Sequence, residues 1–118
     1  MFDIYNKNNI FAKILRKELP SEPVYEDDEV MAINDINPVA PVHILVIPKV
    51  EAISFHDFTT NNSSDLVAGF FRKVRQVAEL SNLHDSGYRI VFNHGSDAGQ
   101  TVPHFHVHII GGKQLGEL

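Results

Sequence analysis

The segment His104-Phe105-His106-Val107-His108-Ile109-Ile110 constrains this chain more than any other. Histidine alternates in it with apolar residues, and on a β-strand alternate side chains share a face. Phe105, Val107 and Ile109 can therefore enter a core while three imidazoles line the opposite side, about 7 Å between successive Cα atoms. The pattern predicts a strand from His104 to Ile110, ended by Gly111-Gly112.

The rest of the chain supplies neighbours for such a strand. Ile10, Phe11, Ile14 and Leu15 make one apolar helical face, so a short helix is expected over Asn9 to Lys17, stopped by Pro20 and Pro23. Val24-Tyr25-Glu26 and Val30-Met31-Ala32-Ile33 read as a hairpin around Asp27-Asp28-Glu29. After a loop from Asn34 to Pro41, His43-Ile44-Leu45-Val46-Ile47 reads as a central strand buried on both faces. The polar stretch Asp57 to Ser64 offers N-caps for a long helix from Asp65 to about Leu83, whose core face is Leu66, Phe70, Val74, Val77 and Leu80. Tyr88 to Phe92 is a further strand, and the loop Asn93 to Thr101 joins it to the histidine strand. No repeat, low-complexity tract or linker interrupts this order, so residues 1–118 are expected to form a single domain.

Composition narrows the function classes. The 118 residues are 43% hydrophobic and 21% charged, a globular balance. With no cysteine there is neither a disulfide framework nor a thiolate metal site, which suits a reducing cytosol, and a cytoplasmic location is expected. The start, Met1-Phe2-Asp3-Ile4-Tyr5-Asn6-Lys7, has no secretory leader pattern, and no apolar run approaches the roughly 20 residues a bilayer demands. Ten Lys and Arg against fifteen Asp and Glu give a formal charge of −5, which argues against a broad nucleic-acid surface. Any anion must be held locally.

Two chemistries suit the alternating histidines. Imidazole is a common zinc ligand, and His43 or Asp97 could complete a site with two of the three. All three could meet one ion only if the strand bent, because His104 and His108 lie roughly 13 Å apart on an extended strand. The other chemistry is phosphoryl transfer with histidine as nucleophile. Gly95 to Thr101, just upstream, offers glycines, a serine and a threonine, so N–H groups and hydroxyls could converge on an anion. A neutral imidazole can attack phosphorus at pH 7 without a base to deprotonate it. The loop and the histidines together favour this second chemistry.

These residues resemble the histidine triad family, in particular its nucleotide-binding branch of adenosine phosphoramidate hydrolases. The likeness runs from about Ile10 to Gly112 and rests on residues 104–110, on Gly95-Ser96-Asp97-Ala98-Gly99-Gln100, on Asp35-Ile36, and on Pro41 to Lys49. It implies an α+β fold with an antiparallel sheet of about five strands and two helices, and a homodimer that joins two such sheets. His106 would be the nucleophile that takes the nucleoside monophosphoryl group. His104 would orient it, His108 would contact the phosphate oxygens, and His43 would support the triad from the neighbouring strand. The backbone of Gly99, Gln100 and Thr101 would complete the anion cradle, with the Thr101 hydroxyl on the leaving-group side. Asp35 would accept hydrogen bonds from the ribose, Ile36 would line the same edge, and Asn93 would reach the sugar or phosphate. Ile10, Phe11 and Ile14 would hold the base.

The resemblance thus implies a metal-independent hydrolase of purine nucleoside phosphoramidates that releases AMP or GMP and an amine. Its alternatives are a dinucleoside polyphosphate hydrolase of the same family and a nucleotide- or zinc-binding interaction module. A histidine at 108, where the transferase branch has glutamine, argues against that branch, and Gly111-Gly112 favours the phosphoramidate one. Thr101 stands where the family often has serine, and Asn34 and Pro103 also depart from common family residues. No nucleic-acid or membrane partner is implied.

Overall fold

Five strands, β1 (Pro23–Glu26), β2 (Val30–Asn34), β3 (Val42–Pro48), β4 (Tyr88–Val91) and β5 (Val107–Gly111), form one antiparallel sheet in the computed structural model. It describes residues 4–118, so Met1 to Asp3, on which part of the leader argument rests, lie outside the described residues. The spatial order is β1-β2-β3-β5-β4. The expected hairpin is β1–β2, and the expected central strand, β3, lies in the middle with every residue from His43 to Pro48 buried. Between β3 and β4 the chain makes two helices, α2 (Phe55–Thr60) and α3 (Ser64–Leu80), while α1 (Ile10–Leu15) precedes the sheet. Among the described residues no helix is long and apolar enough to cross a membrane.

Alternation along the strands divides the core in two. Val30, Ala32, Ile44, Val46, Val107 and Ile109 pack with Phe70, Val74 and Val77 of α3. Met31, Ile33, Leu45 and Ile47 pack on the other face with Phe11 and Ile14 of α1. This explains why β2 and β3 read as unbroken apolar runs: both parities are core, each for a different layer. Burial of an aliphatic side chain at either layer is worth about 1.5–3 kcal/mol.

Four sequence expectations shift. Helix α1 ends before its prolines matter, in a Schellman motif: Glu18 N–H bonds Lys13 O at 2.9 Å, Lys17 N–H bonds Ile14 O at 3.0 Å, and Lys17 adopts φ 66°. The long helix ends the same way, with Asn82 at φ 60° and Leu83 N–H on Ala78 O at 3.1 Å, three residues earlier than expected. Its core face holds Ala78, whereas Leu80 is 64% exposed. Residues 55–60, expected to be partly polar loop, form α2 because Ser54 caps Asp57 N–H and Phe58 is fully buried, giving three α-helices instead of two.

The fourth shift concerns the histidine strand. Its ladder begins at Val107, not His104. Phe105 N–H instead bonds Ala52 O at 2.8 Å, and the Phe105 ring enters an aromatic cluster with Phe58 at 4.7 Å and Phe70 at 5.7 Å. The alternation of faces still holds through this irregular stretch, since Phe105, Val107 and Ile109 all lie in the α3-side core.

Candidate active site

On the α1 side of the sheet, a cleft of about 410 Å³ is lined by Ile10, Phe11 and Ile14 from α1, and by Asp35 and Ile36 after β2. Asn93, Gly99, Gln100, Thr101, His106 and His108 also line it, with Ile33, Asn34, Asn37, Leu45 and Val102, whereas the expected His43 and His104 do not. The residues that α1 contributes are all apolar, while Asp35, Asn93, Thr101, His106 and His108 bring polar groups to the same lining. A larger hollow of about 460 Å³ lies between Ser86–Arg89 and Gly112–Leu115 and contains none of the histidines.

The three histidines occupy three different environments. His104 is fully buried and does not face the cleft. Its Nε2 lies 2.8 Å from Pro48 O and its Nδ1 2.5 Å from Tyr5 Oη. Because a carbonyl only accepts, Nε2 carries the proton and Nδ1 accepts from the phenol. Burial pushes this ring down to about 4, so it is neutral at pH 7. His104 orients its neighbour through its backbone rather than its ring: His106 Nδ1 lies 2.8 Å from His104 O.

That bond fixes the tautomer of His106. Nδ1–H donates to the carbonyl, which leaves the Nε2 lone pair free in the cleft. Phe11 packs edge-on against the ring at 4.7 Å. Burial holds His106 below the usual histidine value, against the opposing pull of the His104 carbonyl and the Asp35 charge. The neutral, nucleophilic form is the one favoured at pH 7.

His108 is set by His43. Val39 N–H donates to His43 Nδ1 at 3.1 Å, so His43 carries its proton on Nε2, 2.9 Å from His108 Nδ1. His108 must then hold its own proton on Nε2, the correct state for donating to a phosphoryl oxygen. Burial, with the nearby His106 and His43, lowers His108 to about 4. Asp35 Oδ2 lies 3.4 Å from the same His43 nitrogen, and its Oδ1 accepts Asn37 N–H at 2.8 Å.

The glycine loop departs from its expected role. Gly99 needs its left-handed φ of 77° to close the 3₁₀ turn Ser96–Ala98. Gly99 N–H donates to Ser96 O and Gln100 N–H to Gly95 O, so of the expected cradle only Thr101 N–H is not spent inside the loop. Gln100 is buried, its amide bonding Ile53 O at 2.7 Å and receiving Gly95 N–H at 3.0 Å, which makes it a brace for the loop. Thr101 is exposed at the rim, Ile10 is 46% exposed and Ile36 90%. His56, His84 and His94 are exposed and do not line this cleft.

A metal could find ligands here. Asp35, His43 and His108 present ligand atoms all within 4.8 Å of one another, a set that includes the anticipated His43 but not Asp97. Sequence reasoning missed Tyr5, Val39 and Pro48, which fix ring protons. Two of the three act through backbone atoms, whose partners residue type does not reveal.

The HIT domain family model matches residues 16–115. The chain belongs to the HIT family. Among relatives of this HIT protein, an uncharacterised HIT-like protein of Rickettsia prowazekii is 51% identical over 112 residues, 95% of this chain and 93% of that one. The purine nucleoside phosphoramidase of Escherichia coli K12 is 38% identical over 112 residues, again 95% of this chain and 93% of that protein. A histidine triad protein from Clostridium difficile, solved at 0.95 Å, superposes with a TM-score of 0.88 at 42% identity and covers 98% of this chain and 99% of its own.

Proposed function

We propose that this HIT protein hydrolyses the P–N bond of purine nucleoside 5′-phosphoramidates in two steps through His106. The observation that carries the reading is the His106 tautomer: Nδ1–H is held by the His104 carbonyl at 2.8 Å, which presents an unprotonated Nε2 to the cleft. The base lies against Ile10, Phe11 and Ile14, and the ribose hydroxyls donate to Asp35. His106 Nε2 attacks the α-phosphorus, and the P–N electron pair leaves with the amine nitrogen, which takes a proton from solvent at the Thr101 rim. His108 Nε2–H and Thr101 N–H donate to the phosphoryl oxygens as charge builds on them. Water then attacks the phosphorus, loses its proton, and releases AMP or GMP with the Nε2 lone pair restored. Likeness to the Escherichia coli phosphoramidase supports this substrate class.

No step in this scheme needs a metal. A second reading, a zinc-binding interaction module, draws support from the Asp35–His43–His108 cluster. Zinc there would take the place of the proton between His43 Nε2 and His108 Nδ1, and would leave the proton on His108 Nε2. We also read the protein as a homodimer joined at β4, an edge strand that exposes Ile90. Its mass by light scattering tests that.

The deciding experiment supplies an adenosine phosphoramidate in excess EDTA to the wild type and to His106→Ala. Turnover by the wild type, a nucleotidylated protein in acid-quenched mass spectra and an inactive variant are expected. Equal turnover by the two proteins overturns the nucleophile. A higher kcat/KM for a dinucleoside polyphosphate overturns the substrate class, and stoichiometric zinc in metal analysis of the protein before EDTA, without turnover, favours the binding module.

A further inference from the structure

We propose that Tyr5 is a positioning residue for the His106 nucleophile, acting through His104. The proposal rests on His106 being that nucleophile. Tyr5 lies in the segment before α1, 99 residues from His104 in the chain, yet its hydroxyl donates to His104 Nδ1 at 2.5 Å and the two rings meet edge-on at 5.5 Å. His104 itself never touches the cleft. Its Nε2–H is taken by Pro48 O on β3, so the ring is held at both nitrogens, once by the sheet and once by the N-terminal segment.

The consequence reaches His106 along the backbone. Residues 104–106 precede the β5 ladder, and the bonds that hold them are Phe105 N–H to Ala52 O on one side and the His104 ring on the other. The carbonyl that fixes the His106 tautomer belongs to His104, so tilting that residue moves the acceptor of the His106 Nδ1–H bond. The Tyr5 proton is well kept for this role, because burial raises its pKa above the ordinary tyrosine value. The same N-terminal stretch then places Phe11 against the His106 ring at 4.7 Å. One short segment, of which the sequence reading took only Ile10, Phe11 and Ile14 as a base pocket, thus braces two consecutive histidines of the triad through Tyr5 and Phe11.

Tyr5→Phe keeps the ring and removes only the donor. Three readouts on the full chain are compared: kcat and KM for an adenosine phosphoramidate, the ¹⁵N resonances of His104 and His106, and the melting temperature. We expect kcat to fall about tenfold, the scale of one lost buried hydrogen bond, with KM changed less than about twofold. We also expect the His104 Nδ1 resonance to lose its hydrogen-bonded character and the His106 Nδ1–H resonance to shift. In a His104→Asn background the same substitution should have no further effect on kcat. Unchanged kcat with an unshifted His106 resonance overturns the proposal, as does a rise in KM alone. His106→Ala assayed alongside separates the two failures: if that variant keeps wild-type turnover the nucleophile assignment falls, whereas an inactive His106→Ala beside an unaffected Tyr5→Phe removes only the role of Tyr5.

Discussion

His43 Nε2 lies 2.9 Å from His108 Nδ1, and since the other nitrogen of His43 accepts Val39 N–H, the proton between the rings belongs to His43. A backbone amide on the loop before β3 therefore decides which face of His108 can donate. Removing the middle of this relay frees His108 to hold its proton on either nitrogen. For His43→Ala we expect kcat to fall roughly 10- to 100-fold, short of the 10²–10³ that outright loss of an oxyanion donor costs. KM should move little. Steady-state kinetics with a ¹⁵N tautomer assignment of His108 checks both, and wild-type kcat with a mixed tautomer would sink the relay.

Activity should be insensitive to pH through the range where free histidine titrates. In the proposed mechanism His106 must be neutral to attack, and burial holds it below the ordinary 6.5. A profile of kcat/KM flat from pH 8 to below 6.5, with its acid limb at lower pH, is expected. An acid limb centred at or above 6.5 would contradict it.

Stability has its own acid dependence. His104 and His108 sit at about 4 in the folded chain, against 6.5 for a free side chain. Between those values the unfolded chain binds protons that the folded chain refuses, so stability rises with pH from about 4 to 6.5 and is lost as pH falls through that window. At about 1.4 kcal/mol per pH unit, His104 alone contributes a loss of roughly 3 kcal/mol. Urea midpoints at pH 7 and pH 4.5 with a constant m-value test it, and equal midpoints would refute it.

Asp27 ties the β1–β2 turn to α3. Burial alone would raise its carboxyl, but Lys73, the Tyr25 hydroxyl and the N–H groups of Glu29 and Val30 outweigh this and hold it well below the usual carboxylate range. The stability it gives is present above pH ~3.9 and lost as pH falls toward the depressed folded value. Asp27→Ala should cost about 1–2 kcal/mol at pH 7 through the lost turn and charge-assisted bonds. Chemical denaturation measures it, and a change within 0.5 kcal/mol, the usual range for a surface site, would count against the clamp.

Gly112 closes β5 at φ 90°, and a Cβ there would come within 3.1 Å of Pro41 Cβ. Gly112→Ala meets both the left-handed backbone penalty and that contact, so a loss of roughly 1–2 kcal/mol is expected. A thermal melt reads it directly. An unchanged Tm would mean that the turn relaxes without strain.

Most of the fold was legible because its pattern is local. Alternation at β5 and the double parity of β3 each report a face, and the face fixes the layer. Helix ends were less legible, since Lys17 in a left-handed conformation carries no compositional mark, and the prolines downstream drew attention instead. Helix α2 was hidden by its polar letters: Ser54 as cap and Phe58 as anchor suffice. At the site, residue types pointed to His106, His108, His43 and Asp35. What they could not show was proton placement, because Val39, Pro48 and His104 act through main-chain atoms that every residue possesses. Gln100 illustrates the reverse case, a polar residue beside the cleft whose side chain is spent on Ile53 O and Gly95 N–H.

Phe105 stands between two histidines of the triad, yet its ring belongs to the cluster of Phe58 and Phe70 on the far side of the sheet. The consequence is genetic as much as structural. A screen for lost turnover is expected to return substitutions at Phe58 and Phe70, which do not line the cleft, because they loosen the Phe105 ring that lies between His104 and His106. The map of sensitive positions in this chain will therefore trace the anchor beneath the cleft as clearly as the cleft itself.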